Sequence, residues 1–303
     1  MGSRGLEIAI ELCRFSRRQR RPTVVDLGRL AELRTEYEEI AEGNRLPAGV
    51  KYDPVEAGGV SAELMSGPEV SSGGVIIYLH GGCYGSGSVE THRELMTRIA
   101  IAASMRVIGL NYRLAPAHPF PAAVEDTAAA YRWLLETGTE ARRIAIAGDS
   151  AGAGLAIAAS LKLRDEGFKL PGAIACISPW VDLTLTGASM ESRAAEDPIV
   201  SRSMLLGWAK LYLGDIDPRT PLASPLYADL RGLPPLLIQA GSAEVLIDDA
   251  TRIAERASAA GVNTTLEIWP EMIHVWHSFT AVLPEGREAI KKIASFVRAH
   301  LDR

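Results

Sequence analysis

Eight short apolar stretches punctuate this chain, and most are separated by longer segments whose apolar positions recur at helical spacing. The first two, "VKYDPVE" (50–56) and "VSAELM" (60–65), are joined by "AGG" (57–59) and predict an antiparallel hairpin at a sheet edge. The next six are "GVIIYLH" (74–80), "RVIGLNY" (106–112), "RIAIAG" (143–148), "AIACIS" (173–178), "PLLIQA" (235–240) and "TTLEIW" (264–269). Most of these are nearly continuous apolar runs, the pattern of strands buried on both faces. Helices are predicted near 90–103, 121–136, 151–165, 246–260 and 286–300, with Pro121 in the first turn of the second. Strand–helix alternation of this kind predicts an α/β fold, with a mostly parallel eight-stranded sheet flanked by helices.

Two regions fall outside the alternation. Residues 5–45 read as helices, "LEIAIELCRF" and then "DLGRLAELRTEYEEIAEG" ending at Gly43. Residues 184–214 lie between two strands and end in a helical "SRSMLLGWAKLYLG". Extra helices outside a doubly wound sheet commonly form a lid, but a long crossover would have the same composition.

Composition narrows the function classes. With 303 residues and 47% hydrophobic content, the chain can bury a substantial core in one large domain or two small ones. A net charge of −5 argues against nucleic acid as a partner. The basic run "RFSRRQRRP" (14–22) is expected to be the solvated face of an N-terminal amphipathic helix. No apolar stretch approaches the length of a membrane span, so no stable membrane insertion is expected. A signal peptide is not expected either, because Glu7 and Glu11 interrupt any apolar core near the start. Three widely spaced cysteines (Cys13, Cys83, Cys176) without a CxxC pair suit a reducing cytoplasm.

Candidate chemistry begins at "IAIAGDSAGAGLAIAAS". The pattern Gly148-Asp149-Ser150-Ala151-Gly152 is weak alone, but here it leaves a buried strand and enters an alanine-rich helix. That is the setting of a nucleophile elbow, in which a tight turn lifts the serine hydroxyl above the sheet. A serine needs a base to take its proton. Of the six histidines, His274 and His277 follow the last strand in "LEIWPEMIHVWHSF", where this fold carries its base. Either fits from position alone. The HxxH spacing also admits a metal pair, but no carboxylate or cysteine cluster accompanies it, so no metal is expected. A developing oxyanion needs fixed N–H donors, and "YLHGGCYGSGS" (78–88) leaves a strand where they are supplied, with Ala151 adding another.

Four motifs in order, "HGGCYGSGS", "YRLAPAHPFPAAVED", "GDSAGAGLA" and "EMIHVWHSF", span residues 78 to about 280. Through them the chain resembles the bacterial hormone-sensitive-lipase-like carboxylesterases (family IV), in the branch with a GDSAG elbow. The resemblance implies a single α/β-hydrolase domain over 1–303, capped by helices from about 1–45 and an insertion at 184–214. It implies a serine esterase acting on short- to medium-chain acyl esters through an acyl-enzyme, without cofactor. It makes Ser150 the nucleophile and His274 the base, leaves His277 as packing, and puts Gly81, Gly82, Cys83 and Ala151 at the oxyanion hole. Tyr84, Met204, Leu205 and Trp208 become candidates for contact with an acyl or alcohol group, with plain cap core as the competing reading. Dimerisation through the last strand is plausible for the family.

Two departures stand out. Cys83 replaces the usual third glycine, so a side chain sits beside the substrate and is expected to restrict the backbone to ordinary L-residue conformations. Either the loop survives with a narrower acyl pocket or the hole is weakened. Ala117 replaces a usual glutamate, in a segment read as scaffold. Lactone hydrolysis uses the same attack on a carbonyl, and a non-catalytic hydrolase-fold binding protein is the alternative of a different class.

The orienting acid is sought in "LIQAGSAEVLIDDATR" (237–252), which holds Glu244, Asp248 and Asp249. The fold puts this acid on the loop directly after its strand, which favours Glu244. Asp248 and Asp249 read as first-turn acids favoured by the dipole of the next helix. The family commonly reads Asp-Pro-Leu here, against Glu244-Val245-Leu246.

Overall fold

The computed structural model describes residues 4–19, 28, 30–42, 46–70 and 73–301, with side chains at 15–19 and 40–42 outside that description. Eight strands form one sheet in the order β1-β2-β4-β3-β5-β6-β7-β8. They are β1 (Lys51–Ala57), β2 (Val60–Ser66), β3 (Val75–Leu79), β4 (Arg106–Leu110), β5 (Ile144–Asp149), β6 (Ala173–Ile177), β7 (Leu236–Gly241) and β8 (Thr264–Trp269). The hairpin β1–β2 is antiparallel, β2 joins β4 antiparallel, and every later pairing is parallel.

Helices cover both faces: α3 (Val89–Ala103) and α9 (Pro284–Leu301) on one, α4 (Ala122–Glu136), α5 (Ala151–Asp165) and α8 (Ile247–Ala259) on the other. The strand period of two divides the apolar runs between these layers. Ile76 and Tyr78 of β3 point to the α3/α9 side, whereas Val75, Ile77 and Leu79 point to the α4/α5/α8 side. In β5 the alternation is Ala145 and Ala147 against Ile144 and Ile146. The strand β8 departs from the expected two-sided burial: as the end of the sheet, it leaves Leu266 and Ile268 exposed. Pro121 lies one residue ahead of α4, and its carbonyl accepts from Val124 and Glu125.

Of the regions outside the alternation, the first contains α1 (Arg4–Gln19) and α2 (Leu30–Glu42), and the second contains α6 (Ser189–Ser192) and α7 (Arg202–Leu213). The basic run from Arg14 and the helix stop at Gly43 fall largely outside the described residues, apart from an Arg14–Glu11 ion pair at 3.1 Å. No helix among the described residues is long and apolar enough to cross a membrane.

Candidate active site

Ser150 occupies the one-residue step between β5 and α5, at φ 54° and ψ −119°. This is a strained backbone for a residue with a Cβ, of the kind that persists where its surroundings over-determine it. Its N–H donates to Ile177 O at 2.9 Å and its carbonyl accepts from Trp180 at 3.0 Å, so the end of β6 holds the turn on both sides. The flanking glycines answer to close approach: a Cβ on Gly152 would lie 1.9 Å from Leu79 O, and one on Gly148 2.6 Å from Gly152 C. No hydrogen bond joins the Ser150 side chain to His274 or to any other described residue; such bonds often tighten only when substrate is bound.

Glu244 and His274 meet where β7 and β8 end. Nδ1 of His274 lies 2.8 Å from Glu244 Oε2, while Gly241 N–H donates to Oε1 at 2.9 Å. Glu244 is wholly buried and His274 nearly so. A carboxylate on Nδ1 fixes that nitrogen as the donor and leaves the lone pair on Nε2. Burial works against a charged ring, but the Glu244 hydrogen bond and charge outweigh it, with Asp197 and Asp149 adding, so the pKa of His274 is raised above 6.5. Val275, the next residue, is left-handed at φ 49°, which for a β-branched residue is a genuine outlier. Its N–H donates to Ser178 Oγ at 3.1 Å. One dipeptide, Ile177-Ser178, therefore anchors both the serine turn and the histidine loop.

His277 stands apart from this chemistry. Its Nε2 meets Gln239 Oε1 at 2.8 Å, its ring packs on Trp276, and burial pushes its pKa down to about 3. Asp248 and Asp249 do more than favour a helix dipole. Asp248 accepts the N–H of Ser189 at 2.9 Å; Asp249, wholly buried, accepts those of Val181 and Asp182, both at 2.9 Å. Both acids fasten the chain beyond β6 to the start of α8.

The glycine-rich loop after β3 is held by its carbonyls. His80 O accepts from the Tyr112 hydroxyl at 2.7 Å, Gly82 O from Gly85 and Ser86, and Tyr84 O from Ala115. Gly85 O accepts from Arg34 Nε at 2.8 Å. The N–H groups of Gly82 and Cys83 have no partner among the described residues, and Ala151 begins α5, where the first amides are unpaired by construction of the helix. Gly81 differs: its N–H donates to Asp149 Oδ1 at 3.1 Å, which removes it from the expected donor set. Cys83 also departs from expectation. Instead of forcing a right-handed backbone it sits at φ 56°, followed by Tyr84 at φ 60°, so the loop keeps the left-handed path without its third glycine.

Asp149, His92 and Tyr78 form a buried cluster that sequence reading did not single out. Tyr78 donates to Asp149 Oδ1 at 2.8 Å and His92 Nε2 lies 3.4 Å from Oδ2. Burial opposes both charges, yet the His92 charge and hydrogen bond lower the Asp149 pKa, and Asp149 in turn raises that of His92. The pair is ionic. Burial, reinforced by the His92 charge, drops His80 to about 3, and its neutral ring stacks on Tyr112 at 4.3 Å. The available signal was the residue beside the nucleophile, an aspartate in an otherwise small-residue motif.

The four pocket candidates are packed together. Tyr84 stacks on Tyr212 of α7 with ring centroids 3.9 Å apart, and Trp208 covers Gly85 so closely that a Cβ there would lie 2.1 Å from the indole. Leu205 is wholly buried in the same core, against which half-buried Met204 packs. Tyr212 and Phe120 belong to this cluster and were not anticipated.

Comparison with known proteins agrees with the geometry. Residues 76–278 match a family model described as an alpha/beta hydrolase fold. An acetyl-hydrolase from Streptomyces hygroscopicus is 51% identical over 246 residues, covering 81% of this chain and 82% of its own. A putative acetyl-hydrolase, LipR, from Mycobacterium tuberculosis is 36% identical over 262 residues, covering 86% and 85%. A crystal structure of an esterase from the bacterial hormone-sensitive lipase family, 46% identical, superposes with a TM-score of 0.95 over 99% of both chains. Together these findings make the chain a member of the hormone-sensitive-lipase-like carboxylesterases of the α/β-hydrolase fold, and a carboxylic ester hydrolase.

Proposed function

We propose that this esterase hydrolyses short- to medium-chain acyl esters through an acyl-enzyme formed on Ser150. The observation that carries the reading is the buried Glu244–His274 contact, tied through Ile177-Ser178 to the strained serine turn. His274 Nε2 takes the proton of Ser150 as Oγ attacks the ester carbonyl; the same proton then passes to the leaving alkoxide. Glu244 orients the ring and stabilises the imidazolium. The free amides of Gly82, Cys83 and Ala151 receive the oxyanion. Water, deprotonated by His274, attacks the acyl-enzyme and releases the acid.

Short acyl groups are favoured by the packing of Trp208 and Tyr212 over the glycine-rich loop, and the 51% identical relative is named an acetyl-hydrolase. The described helices α1 and α2, with the 184–214 insertion, serve as the cap: Arg34 of α2 reaches Gly85 O and Ala115 O, both at 2.8 Å, and α7 lies on the same loop. Pairing of two copies through β8 is in keeping with Leu266 and Ile268 at the sheet end. Ser150→Ala should abolish turnover of p-nitrophenyl butyrate while the fold is retained; unchanged turnover would remove Ser150 from the mechanism. A panel of esters of graded acyl length, with lactones included, measures the chain-length preference and separates ester from lactone hydrolysis.

A further inference from the structure

The 184–214 insertion reaches the acid loop at Val245, the residue directly after Glu244. Val245 N–H donates to Asp197 Oδ2 at 3.0 Å, and Val245 O accepts from Ser189 Oγ at 2.5 Å. Asp197 and Ser189 are each 2% exposed. The other Asp197 oxygen closes its own turn, accepting the N–H groups of Ile199 and Val200, both at 2.9 Å. Ser189 is held in turn by Asp248, which accepts its N–H at 2.9 Å. The insertion thus grips Val245 from its donor and its acceptor side at once.

That grip bears on Glu244 through covalent geometry. The N–H taken by Asp197 belongs to the planar peptide that also contains the carbonyl of Glu244, so fixing one fixes the plane of the other. Glu244 then carries the hydrogen bond on which the orientation of His274 depends. The Asp197 charge also faces His274 and adds to that of Glu244 in favouring the protonated ring.

We infer that Asp197 is a positioning residue for Glu244, coupling the insertion to the acid–base pair, an inference that rests on the proposed roles of Glu244 and His274. Ser189 is the second half of the same clamp. If the insertion shifts as a substrate enters, the shift reaches the imidazole through Val245. Specificity held in the insertion and turnover held in the core are therefore linked by one peptide group.

Asp197→Asn tests this with little change of shape. An amide has one acceptor oxygen; turned to the two N–H groups of Ile199 and Val200, it sets its NH2 against the Val245 N–H, so that bond is the one lost. Turnover of p-nitrophenyl butyrate should show kcat lowered on the order of 10- to 100-fold with KM within about threefold, the signature of a misplaced catalytic group. In a Ser150→Ala background, the His274 Nδ1 proton resonance should move or broaden when Asp197→Asn is added. Unchanged kcat, or a lowered kcat with that resonance unmoved, overturns the inference. Should Asp197→Asn fail to fold, Ser189→Ala removes one hydroxyl and is expected to give the same split at smaller size; no change in kcat or resonance there overturns it equally. Full turnover in Ser150→Ala alone would instead defeat the reading of the site, leaving the resonance to report on the clamp.

Discussion

The histidine loop and the glycine-rich loop both hold non-glycine residues in left-handed backbone beside Ser150, but they are fastened in opposite ways. Val275 at φ 49° is secured through its N–H, which donates to Ser178 Oγ. Cys83 and Tyr84, at φ 56° and 60°, are secured by neighbouring carbonyls and by the Tyr84–Tyr212 stack, while the Cys83 N–H has no partner among the described residues. The difference follows from what each loop is proposed to present. A loop that offers an imidazole can bind its amides to the scaffold. A loop that offers amides has to be anchored by everything else. Left-handed conformation costs about 1–2 kcal/mol per residue outside glycine, so each loop needs such anchors to persist.

The largest effect is expected at Glu244. Glu244→Gln should lower kcat/KM on the order of 10³–10⁴-fold, as loss of an orienting carboxylate does in serine hydrolases, whereas Asp248→Asn, whose amide oxygen still accepts from Ser189, should stay within about threefold. The reverse ranking would reassign the acid. The pH profile sharpens the same test. As the proposed base, His274 must be neutral at Nε2 to act, and its pKa is raised by Glu244. The acid limb of kcat/KM in the parent enzyme should therefore have its midpoint above the ordinary histidine value of about 6.5, and Glu244→Gln should move it down.

Next in size is the Val275 tether. Ser178→Ala removes the acceptor of its N–H, and kcat is expected to fall about tenfold as the ring loses its fixed placement. Stopped-flow or steady-state rates with p-nitrophenyl butyrate check this; an unchanged kcat would show that Val275 is held without Ser178. On the other loop, Cys83→Gly should leave kcat within about threefold, because glycine reaches φ 56° without strain and keeps the N–H. Cys83→Val should lower both kcat and thermal stability, since a β-branched residue tolerates that backbone poorly. Equal behaviour of the two variants would mean that left-handed backbone is not what position 83 demands.

Much of this arrangement was legible in the sequence, for reasons particular to each part. The strands showed because burial on two faces produces runs such as "GVIIYLH", and the serine turn showed because Gly148 and Gly152 mark a close approach that no Cβ permits. The contact of Glu244 with His274 was legible in the place of Glu244 after β7. The anchors were not. Asp149, His92 and Tyr78 are far apart in sequence and meet only because β5, α3 and β3 are neighbours, so no local pattern links them. His80 and His92 precede the serine and had no place in the order of a hydrolase triad. The left-handed state of Cys83 depends on carbonyl contacts from 80 to 85, not on any property of cysteine. Asp248 and Asp249 matched the helix-dipole pattern so well that it hid their stronger bonds to the backbone beyond β6.

Covalent labelling tests the role of Ser150 most directly. The folded protein is treated with a fluorophosphonate, its intact mass is measured, and the modified peptide is mapped. One adduct is expected, on Ser150, absent in Ser150→Ala and formed much more slowly in Glu244→Gln. A folded protein that does not react, or an adduct on another residue, would contradict that role.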